Sequence, residues 1–338
     1  MRIVIDDKIP YIREVISQIT DDAVYKKGAD INSSDVKDAD AMIVRTRTKC
    51  NRELLEGSNV KFIATATIGF DHIDTEYLKE AGITWMNCPG CNSGSVAQYL
   101  RSVLLLLKSE KGEDLKNMTL GIVGCGHVGQ KVKAAAEQLG MRVLVNDPPR
   151  KDAGEEGDFV SIDEIKKSCD VITFHTPMIK DGKYKTVHIA DHDIFNSLDR
   201  CPYIINTSRG GVVDNNELLD ALKNKKIKDA IIDTWENEPE INLELLEKVF
   251  IGTPHIAGYS ADGKVNADNM VIDGLCRFFN IKNHFNITPP KLPSDIKFSE
   301  NFEERCLQLY NPLVDSKKLK AEPGKFEELR GNYPVRRE

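Results

Sequence analysis

The chain lacks the features that mark membrane, secreted and nucleic-acid-binding proteins. Its longest apolar run, VLLLLK at residues 103–108, is too short to cross a bilayer, and the apolar stretch near the start is too short for a signal peptide. Aspartate and glutamate (53) outnumber lysine and arginine (46), so the net charge of −7 argues against the basic face that nucleic-acid binding needs. We expect a cytoplasmic protein that binds no nucleic acid and no membrane, although an acidic chain can still hold a small anion in a local basic pocket.

The eight cysteines also lack the spacing of a metal or disulfide framework. Only Cys88 and Cys91 lie close together, as a CxxC pair, and neither a second CxxC nor a close pair of histidines accompanies them. Free thiols in a reducing compartment explain this usage better than a zinc ion does. The sequence therefore predicts no metal site.

Short apolar runs alternate with helical patterns along most of the chain. In the first hundred residues we predict four strands, in RIVID, AMIVRTRT, KFIATATIGFDHID and ITWMNCPG, and then a long apolar helix in SVAQYLRSVLLLLKSE. A second alternating block begins at Leu120 and includes MRVLVND, DVITFHTP, YIINTSRG and DAIIDTWENEP. This alternation predicts an α/β fold with two Rossmann-like, doubly wound parallel sheets. Ligands bind at the carboxyl ends of such strands, so the polar residues that end these runs should meet in one crevice.

A glycine turn opens the second block. Gly124, Gly126 and Gly129 form GxGxxG between an apolar strand and an amphipathic helix. The first glycine permits the tight turn, the second lets a pyrophosphate approach the backbone, and the third lets the helix pack on the strand. The pyrophosphate would bind the free N–H groups of the helix N-terminus. The predicted cofactor site also includes His127 and Val128 of this turn.

An acidic residue follows the glycine turn at the distance that dinucleotide binding requires. Asp147 ends the next strand, about twenty residues on, where a carboxylate accepts hydrogen bonds from the adenosine ribose. A carboxylate would repel a 2′-phosphate, so NAD is favoured over NADP, and the nearby Arg150 weakens that preference slightly. The alternative interpretation is a glycine turn that binds no ligand.

Five motifs together resemble one enzyme family. GIVGCGHVG, FHTP, INTSRGGVVD, DTWENEP and TPHIAGYS occur in the order found in the D-2-hydroxyacid dehydrogenases, and the resemblance covers about residues 1–285. VRTRTK, FIATATIGFDHID, FHTPMIKDGKYKTVHI and the tail FEELRGNYPVRRE resemble a narrower group that acts on a phosphorylated 2-hydroxy acid. The resemblance implies an NAD-dependent oxidoreductase that forms a homodimer.

The resemblance also implies a domain organisation. Residues 1–94 and 260–284 would form a substrate-binding lid domain, and residues 95–259 the NAD-binding domain. Residues 285–338 would form a small C-terminal α+β dimerisation domain. The tail is short and highly charged, so we expect it to pack on another surface rather than to bury a core of its own.

Three residues carry the chemistry that oxidation of a 2-hydroxy acid needs. His255 suits proton transfer near neutrality, Glu238 could hydrogen-bond and orient its ring, and Arg209 offers a planar fork for a carboxylate. The resemblance assigns catalytic roles to the same three residues. Taken singly, Glu238 could be a solvated loop acid and Arg209 a surface arginine.

The remaining site residues follow from matching motifs. The resemblance assigns these residues to the cofactor: Thr176, Thr207, Ser208, Asp233, near the carboxamide, and Gly258. It assigns Thr46, Thr67 and Tyr259 to the substrate. Arg45 and Arg47, with Lys49, would share one face of a strand and could hold the substrate phosphate, unless they form a solvated strand end. Arg336 and Arg337 could reach the same anion across a dimer.

One departure and two rival functions stay open. The family commonly has an acid in the helix after PGCN, where this chain has Gln98. Within the class, another phosphorylated hydroxy acid such as 3-phosphoglycerate would use the same catalytic residues. A protein that binds NAD only to sense it is the rival from another class, and loss of a catalytic residue would favour it; all three are present.

Overall fold

The chain divides into two compact units in the computed structural model, which describes residues 1–292, 296–334 and 336–338. Among these residues, the first unit contains 1–92, 260–292 and Arg337, and the second contains 93–259, 296–334, Arg336 and Glu338. None of the described helices combines the length and apolarity that a membrane span requires.

The first unit is a parallel sheet covered by helices. Its strands are β1 (Ile3–Asp6), β2 (Ala23–Lys26), β3 (Ala41–Val44), β4 (Phe62–Thr65) and β5 (Thr84–Met86). Its helices are α1 (Arg13–Ile19), α2 (Ser33–Val36), α3 (Arg52–Leu55), α4 (Thr75–Glu80) and, later in the chain, α12 (Ala261–Phe278). All pairs are parallel in the order β2-β1-β3-β4-β5, and β1, β3 and β4 are fully buried, as aliphatic strands covered on both faces should be.

The second unit is a larger parallel sheet. Its strands are β6 (Thr119–Val123), β7 (Arg142–Asn146), β8 (Val171–Phe174), β9 (Tyr203–Asn206), β10 (Asp229–Ile232) and β11 (Ile251–Gly252). Its helices up to residue 259 are α5 (Ser93–Lys111), α6 (His127–Gln138), α7 (Pro148–Asp152), α8 (Ile162–Ser168), α9 (His192–Asn196), α10 (Asn215–Lys223) and α11 (Leu243–Lys248). The order β11-β10-β9-β8-β6-β7 reverses direction at β6, so a crevice opens beside the carboxyl ends of β6 and β8.

The C-terminal tail packs on the second unit. Its helices are α13 (Phe302–Leu309), α14 (Pro312–Ala321) and α15 (Phe326–Gly331). Leu319 and Phe326 belong to the same buried cluster as the strands β8 to β10, and Ser316 accepts a hydrogen bond from the N–H of Gly252 at 3.0 Å on the edge strand β11. The tail therefore adds to an existing core and covers a sheet edge.

The predicted α/β fold with two parallel sheets is confirmed, with differences in detail. The structure adds the strands β2 and β11, which are only four and two residues long. The named elements of the tail are helices rather than a mixture of helix and strand. The expectation that residues 45, 47 and 49 share a strand face is wrong, because β3 ends at Val44 and the chain then turns.

Candidate active site

The glycine turn has the geometry of a dinucleotide site. Gly124 has a φ of 88°, and a Cβ there would lie 2.7 Å from the carbonyl oxygen of His175, so only glycine fits. A Cβ at Gly129 would overlap the carbonyl of Gly124, as close packing of helix on strand implies. At Gly126, which precedes α6, a Cβ would meet nothing within 4 Å. The first turn of α6, with His127 and Val128, therefore faces open space with N–H groups that the helix itself does not use.

Asp147 lies beside this turn. Its buried carboxylate accepts hydrogen bonds from the N–H of Cys125 at 2.7 Å and from the N–H of Arg150 at 3.1 Å. The Arg150 side chain donates to the carbonyl of Cys125 at 2.6 Å and to Glu155 at 2.7 Å. The acid is thus fixed at the carboxyl edge of the sheet, and the nearby arginine already has an acidic partner.

Two buried threonine hydroxyls at the ends of neighbouring strands are placed to hydrogen-bond with a bound ligand. Thr176 follows β8 and Thr207 follows β9, and each hydroxyl is buried without a hydrogen-bond partner among the described residues. Buried polar atoms in folded proteins nearly always have a partner, so these two threonines fit the polar groups of a bound NAD. Ser208, the next residue, instead donates to Asn206 at 2.9 Å.

His175, which the sequence analysis did not single out, lines the same region. Its carbonyl oxygen is the atom that excludes a side chain at Gly124, and its ring forms a 3.0 Å hydrogen bond with Thr173. Burial lowers the pKa of His175 to about 3, so the ring is neutral at physiological pH. The FHTP motif contained this residue, but its burial is visible only in the fold.

A hydrogen-bonded acid–base pair lies at the carboxyl edge of the sheet. Nδ1 of His255 is 2.8 Å from one carboxylate oxygen of Glu238 and 3.1 Å from the other. The N–H of Trp235 donates to Glu238 at 2.9 Å and fixes the carboxylate from behind. Because Nδ1 faces the carboxylate, Nε2 is the nitrogen left to take a proton from a substrate.

The Glu238 carboxylate is kept ionised in spite of its burial. Burial acts to raise the pKa of Glu238, but the hydrogen bond and charge of His255, the N–H of Trp235 and the charge of Arg330 together hold that pKa below its usual value. Glu238 is therefore an anion throughout the neutral range, and it stabilises a positive charge on the imidazole.

The loop that carries His255 is clamped by Asp233. The Asp233 carboxylate accepts hydrogen bonds from the Thr253 hydroxyl at 2.6 Å and from the N–H groups of Ile256 and Ala257 at 2.8 and 2.9 Å. Burial raises the pKa of Asp233, although the charge of His255 and these hydrogen bonds oppose the shift. His255 itself has a φ of 57°, a left-handed conformation that the clamp maintains. In this structure the Asp233 side chain positions the loop, whereas the family resemblance assigns it to the nicotinamide.

Arg209, Glu238 and His255 follow three adjacent strands, β9, β10 and β11. The Arg209 side chain is half-buried and donates to the carbonyl of Ser208 at 2.8 Å. The sheet thus brings the predicted guanidinium, carboxylate and imidazole to one edge, as the strand-end argument expects.

Known proteins place this arrangement in a family. Residues 99–257 match the NAD binding domain of the D-isomer specific 2-hydroxyacid dehydrogenases. The chain is 58% identical over its whole length to the erythronate-4-phosphate dehydrogenase of Bacteroides thetaiotaomicron, of which the match covers 97%. The chain belongs to the erythronate-4-phosphate dehydrogenase family. NAD is its cofactor, and the enzyme is an oxidoreductase that acts on a CH–OH group.

Solved structures of other dehydrogenases share the fold of this chain. The NAD-bound 3-phosphoglycerate dehydrogenase of Entamoeba histolytica is 29% identical, with a TM-score of 0.69, and the match covers 83% of this chain and 95% of that one. The D-lactate dehydrogenase of Aquifex aeolicus, solved with NAD and lactic acid, is 26% identical, with a TM-score of 0.67, and the match covers 82% and 96%.

The residues assigned to the substrate in the first unit lie at the carboxyl edge of its sheet. Arg45, half-buried, directly follows β3 and donates to the carbonyl of Lys8 at 3.3 Å, and Thr46 and Arg47 are exposed in the turn that comes next. Thr67 follows β4, and its hydroxyl donates to the carbonyl of Gly69 at 2.8 Å. Arg45 and Arg47 therefore do not form the regular strand face that the sequence suggested.

The tail arginines differ most from expectation. Arg336 is buried and donates to Gln98 at 2.8 Å and to the carbonyls of residues 95, 256, 257 and 259. Arg337 pairs with Asp262 at 2.8 and 3.0 Å. Neither guanidinium is left for a partner's anion, so that expectation is wrong. Gln98, the departure from the family acid, accepts the Nε–H of Arg336.

Tyr259 and Gly258 complete the loop after His255. Both are half-buried, and the Tyr259 carbonyl accepts a hydrogen bond from Arg336 at 2.8 Å. The Tyr259 ring lies 6.2 Å from the ring of Tyr333 in the tail. The tail thus supports the loop that carries His255, which no single motif of the sequence indicated.

Proposed function

We propose that this enzyme oxidises 4-phospho-D-erythronate with NAD to 3-hydroxy-2-oxo-4-phosphooxybutanoate, a step of pyridoxal 5′-phosphate biosynthesis. The observation that carries the proposal is the hydrogen-bonded His255–Glu238 pair, with Arg209 after the adjacent strand, in a sheet whose glycine turn fits NAD. Full-length similarity to a protein named erythronate-4-phosphate dehydrogenase supports the choice of substrate.

The side chains divide the reaction between them. Arg209 holds the substrate carboxylate through two N–H groups and so places C2. Nε2 of His255 accepts the proton of the C2 hydroxyl, and Glu238 stabilises the imidazolium that forms. NAD, when bound, accepts the hydride that leaves C2. The first turn of α6, Asp147 and the hydroxyls of residues 176 and 207 are the groups that would hold the cofactor.

The remaining substrate contacts belong to the same proposal. Thr46, Thr67 and Tyr259 offer hydroxyls to carboxylate or phosphate oxygens, and Arg45 and Arg47 offer cations to the phosphate. Their positions at or near strand ends support these roles. Replacement of either arginine by glutamine should raise KM for the phosphorylated substrate and leave the affinity for NAD unchanged.

A substrate panel tests the proposal. Purified enzyme with NAD should produce NADH, followed by its near-ultraviolet absorbance, from 4-phosphoerythronate at a kcat/KM at least about a hundredfold above that for D-lactate or unphosphorylated erythronate. A higher kcat/KM for 3-phosphoglycerate would replace the proposed substrate by that one. NAD binding without turnover of any hydroxy acid would favour the sensing role instead.

A homodimer and a cytoplasmic location are also part of the proposal. The resemblance of the tail to a dimerisation domain supports the first. Sedimentation equilibrium of the full chain, whose mass is 37.9 kDa, should give twice that mass. A monomer at micromolar concentration would contradict it.

A further inference from the structure

We propose that Arg330, in the tail helix α15, is a positioning residue for the Glu238–His255 pair. Its Nη1 lies 3.5 Å from the Oε2 of Glu238, which is also the oxygen 2.8 Å from Nδ1 of His255. None of the family motifs that led to the catalytic residues includes Arg330. The inference rests on the proposed function in one respect, that His255 transfers the proton.

The contacts of Glu238 leave its carboxylate one orientation. Oε1 accepts the N–H of Trp235 at 2.9 Å, and Oε2 lies between the imidazole and the guanidinium. The Glu238 side chain is only 15% exposed, so water competes little with these partners. Without the guanidinium, the imidazole would be the remaining one of these two partners of Oε2. The carboxylate would then be able to rotate away from Nδ1 of His255.

The charge of Arg330 matters most when His255 is neutral. An imidazolium balances the Glu238 carboxylate, but oxidation of a hydroxyl begins with a neutral imidazole, which provides a hydrogen bond and no charge. A guanidinium stays protonated at any physiological pH. Arg330 is then the permanent cation of this buried group, and it keeps Glu238 ionised in both states of the histidine.

Arg330 is itself held in place. On α15, Phe326 is fully buried and Leu329 packs against the same core, so the helix is anchored on one face. The Arg330 side chain is 27% exposed and lies 4.0 Å from Glu327. A guanidinium on a packed helix, with Glu327 on the same helix beside it, loses little further freedom in contacting Glu238.

A direct contact between Arg330 and an anionic group of the substrate is the competing role, and it makes a different kinetic prediction. A substrate contact acts on binding, so its loss raises KM. A positioning contact acts on the proton transfer, so its loss lowers kcat and changes the pH dependence. Removal of a positive charge from the neighbourhood of the pair increases its affinity for a proton, so the acid limb of the kcat/KM profile should move to higher pH.

The test compares Arg330→Gln and Arg330→Lys with Arg305→Gln, a matched change of an exposed arginine on α13. Arg330→Gln should lower kcat about tenfold with KM and NAD affinity within about twofold, and should move the acid limb up by about 0.5 pH unit. Arg330→Lys, which keeps the charge, should retain the wild-type acid limb, and Arg305→Gln should match wild type. A rise in KM with unchanged kcat, or an unmoved acid limb, would overturn the proposal.

A second measurement keeps the inference separate from the choice of substrate. The ring nitrogens of His255 can be titrated by NMR in the NAD-bound enzyme without substrate. The midpoint should be about 0.5 pH unit higher in Arg330→Gln than in wild type and unchanged in Arg330→Lys. Failure of the substrate panel leaves this result intact, whereas equal midpoints in all three proteins would overturn the role of Arg330. If Arg330→Gln does not fold, a midpoint in Arg330→Lys that differs from the wild-type midpoint would also overturn the role of Arg330.

Discussion

Two of the histidine–glutamate pairs in the second unit have acids that are neighbours in the ENEP segment. Glu238 contacts Nδ1 of His255 at 2.8 Å, and Glu236 contacts Nε2 of His188 at 2.6 Å. Both histidines have a positive φ, 57° at His255 and 51° at His188. Residue type and backbone conformation therefore do not distinguish the two pairs.

The difference lies in how many ring nitrogens are occupied. The other nitrogen of His188 is 3.3 Å from Asp214, so carboxylates face both sides of that ring. Glu236 also accepts the N–H of Asn215 at 2.9 Å, which ties the pair to the start of α10. At His255 the acid takes Nδ1 and leaves Nε2 for a substrate. A histidine–glutamate pair is thus a proton-transfer device only where one nitrogen remains for the reaction.

Among the variants that test this comparison, His255→Asn should have the largest effect on kcat. Asparagine tolerates the left-handed backbone of position 255, so the change removes the ring without new strain. We expect kcat to fall by about 10³-fold or more, because the variant lacks the imidazole that accepts the proton. NAD affinity, measured by fluorescence titration, should stay within about twofold. Turnover near the wild-type rate would refute the assignment of His255.

A smaller loss should follow from Glu238→Gln. The new amide oxygen would still accept the N–H of Trp235, but a neutral amide would not stabilise an imidazolium, so kcat should fall by about a hundredfold. Because its pKa is held low, Glu238 is an anion across the assay range. Loss of this negative charge should move the acid limb of kcat/KM to lower pH, opposite in sign to the shift expected for Arg330→Gln. A shift in the same direction for both variants would contradict the electrostatic account.

The sequence predicted the side chains at this edge of the sheet better than it predicted the contacts that hold them in place. Aliphatic runs and the glycine turn predicted the buried strands and the nucleotide site, because burial and close backbone approach restrict residue type strongly. The family resemblance, matched residue by residue, assigned Glu238 as the partner of His255. Spacing alone does not separate two acids that are two residues apart.

The contributions of the tail could not be predicted in the same way. Charged residues near the end of a chain usually lie in solvent, so Arg330 and Arg336 gave no signal of burial. Their partners are a carboxylate and backbone carbonyls far away in sequence, and such contacts exist only after the sheet has assembled. The turn after Val44 was missed for a related reason, since alternation in VRTRT imitates a strand.

The smallest effect should come from His188→Asn, which is matched to His255→Asn in side chain and in backbone conformation. The backbone N–H of residue 188, which donates to the carbonyl of Gly211 at 2.8 Å, remains in the variant. Only the ring contacts to Glu236 and Asp214 are lost, and the ring is 39% exposed, so water replaces part of them. We expect kcat and KM within about twofold of wild type and a free energy of unfolding lower by about 1 kcal/mol, from urea denaturation. A tenfold fall in kcat with unchanged stability would mean that the second pair takes part in the reaction, and occupancy of the ring nitrogens would no longer separate the two.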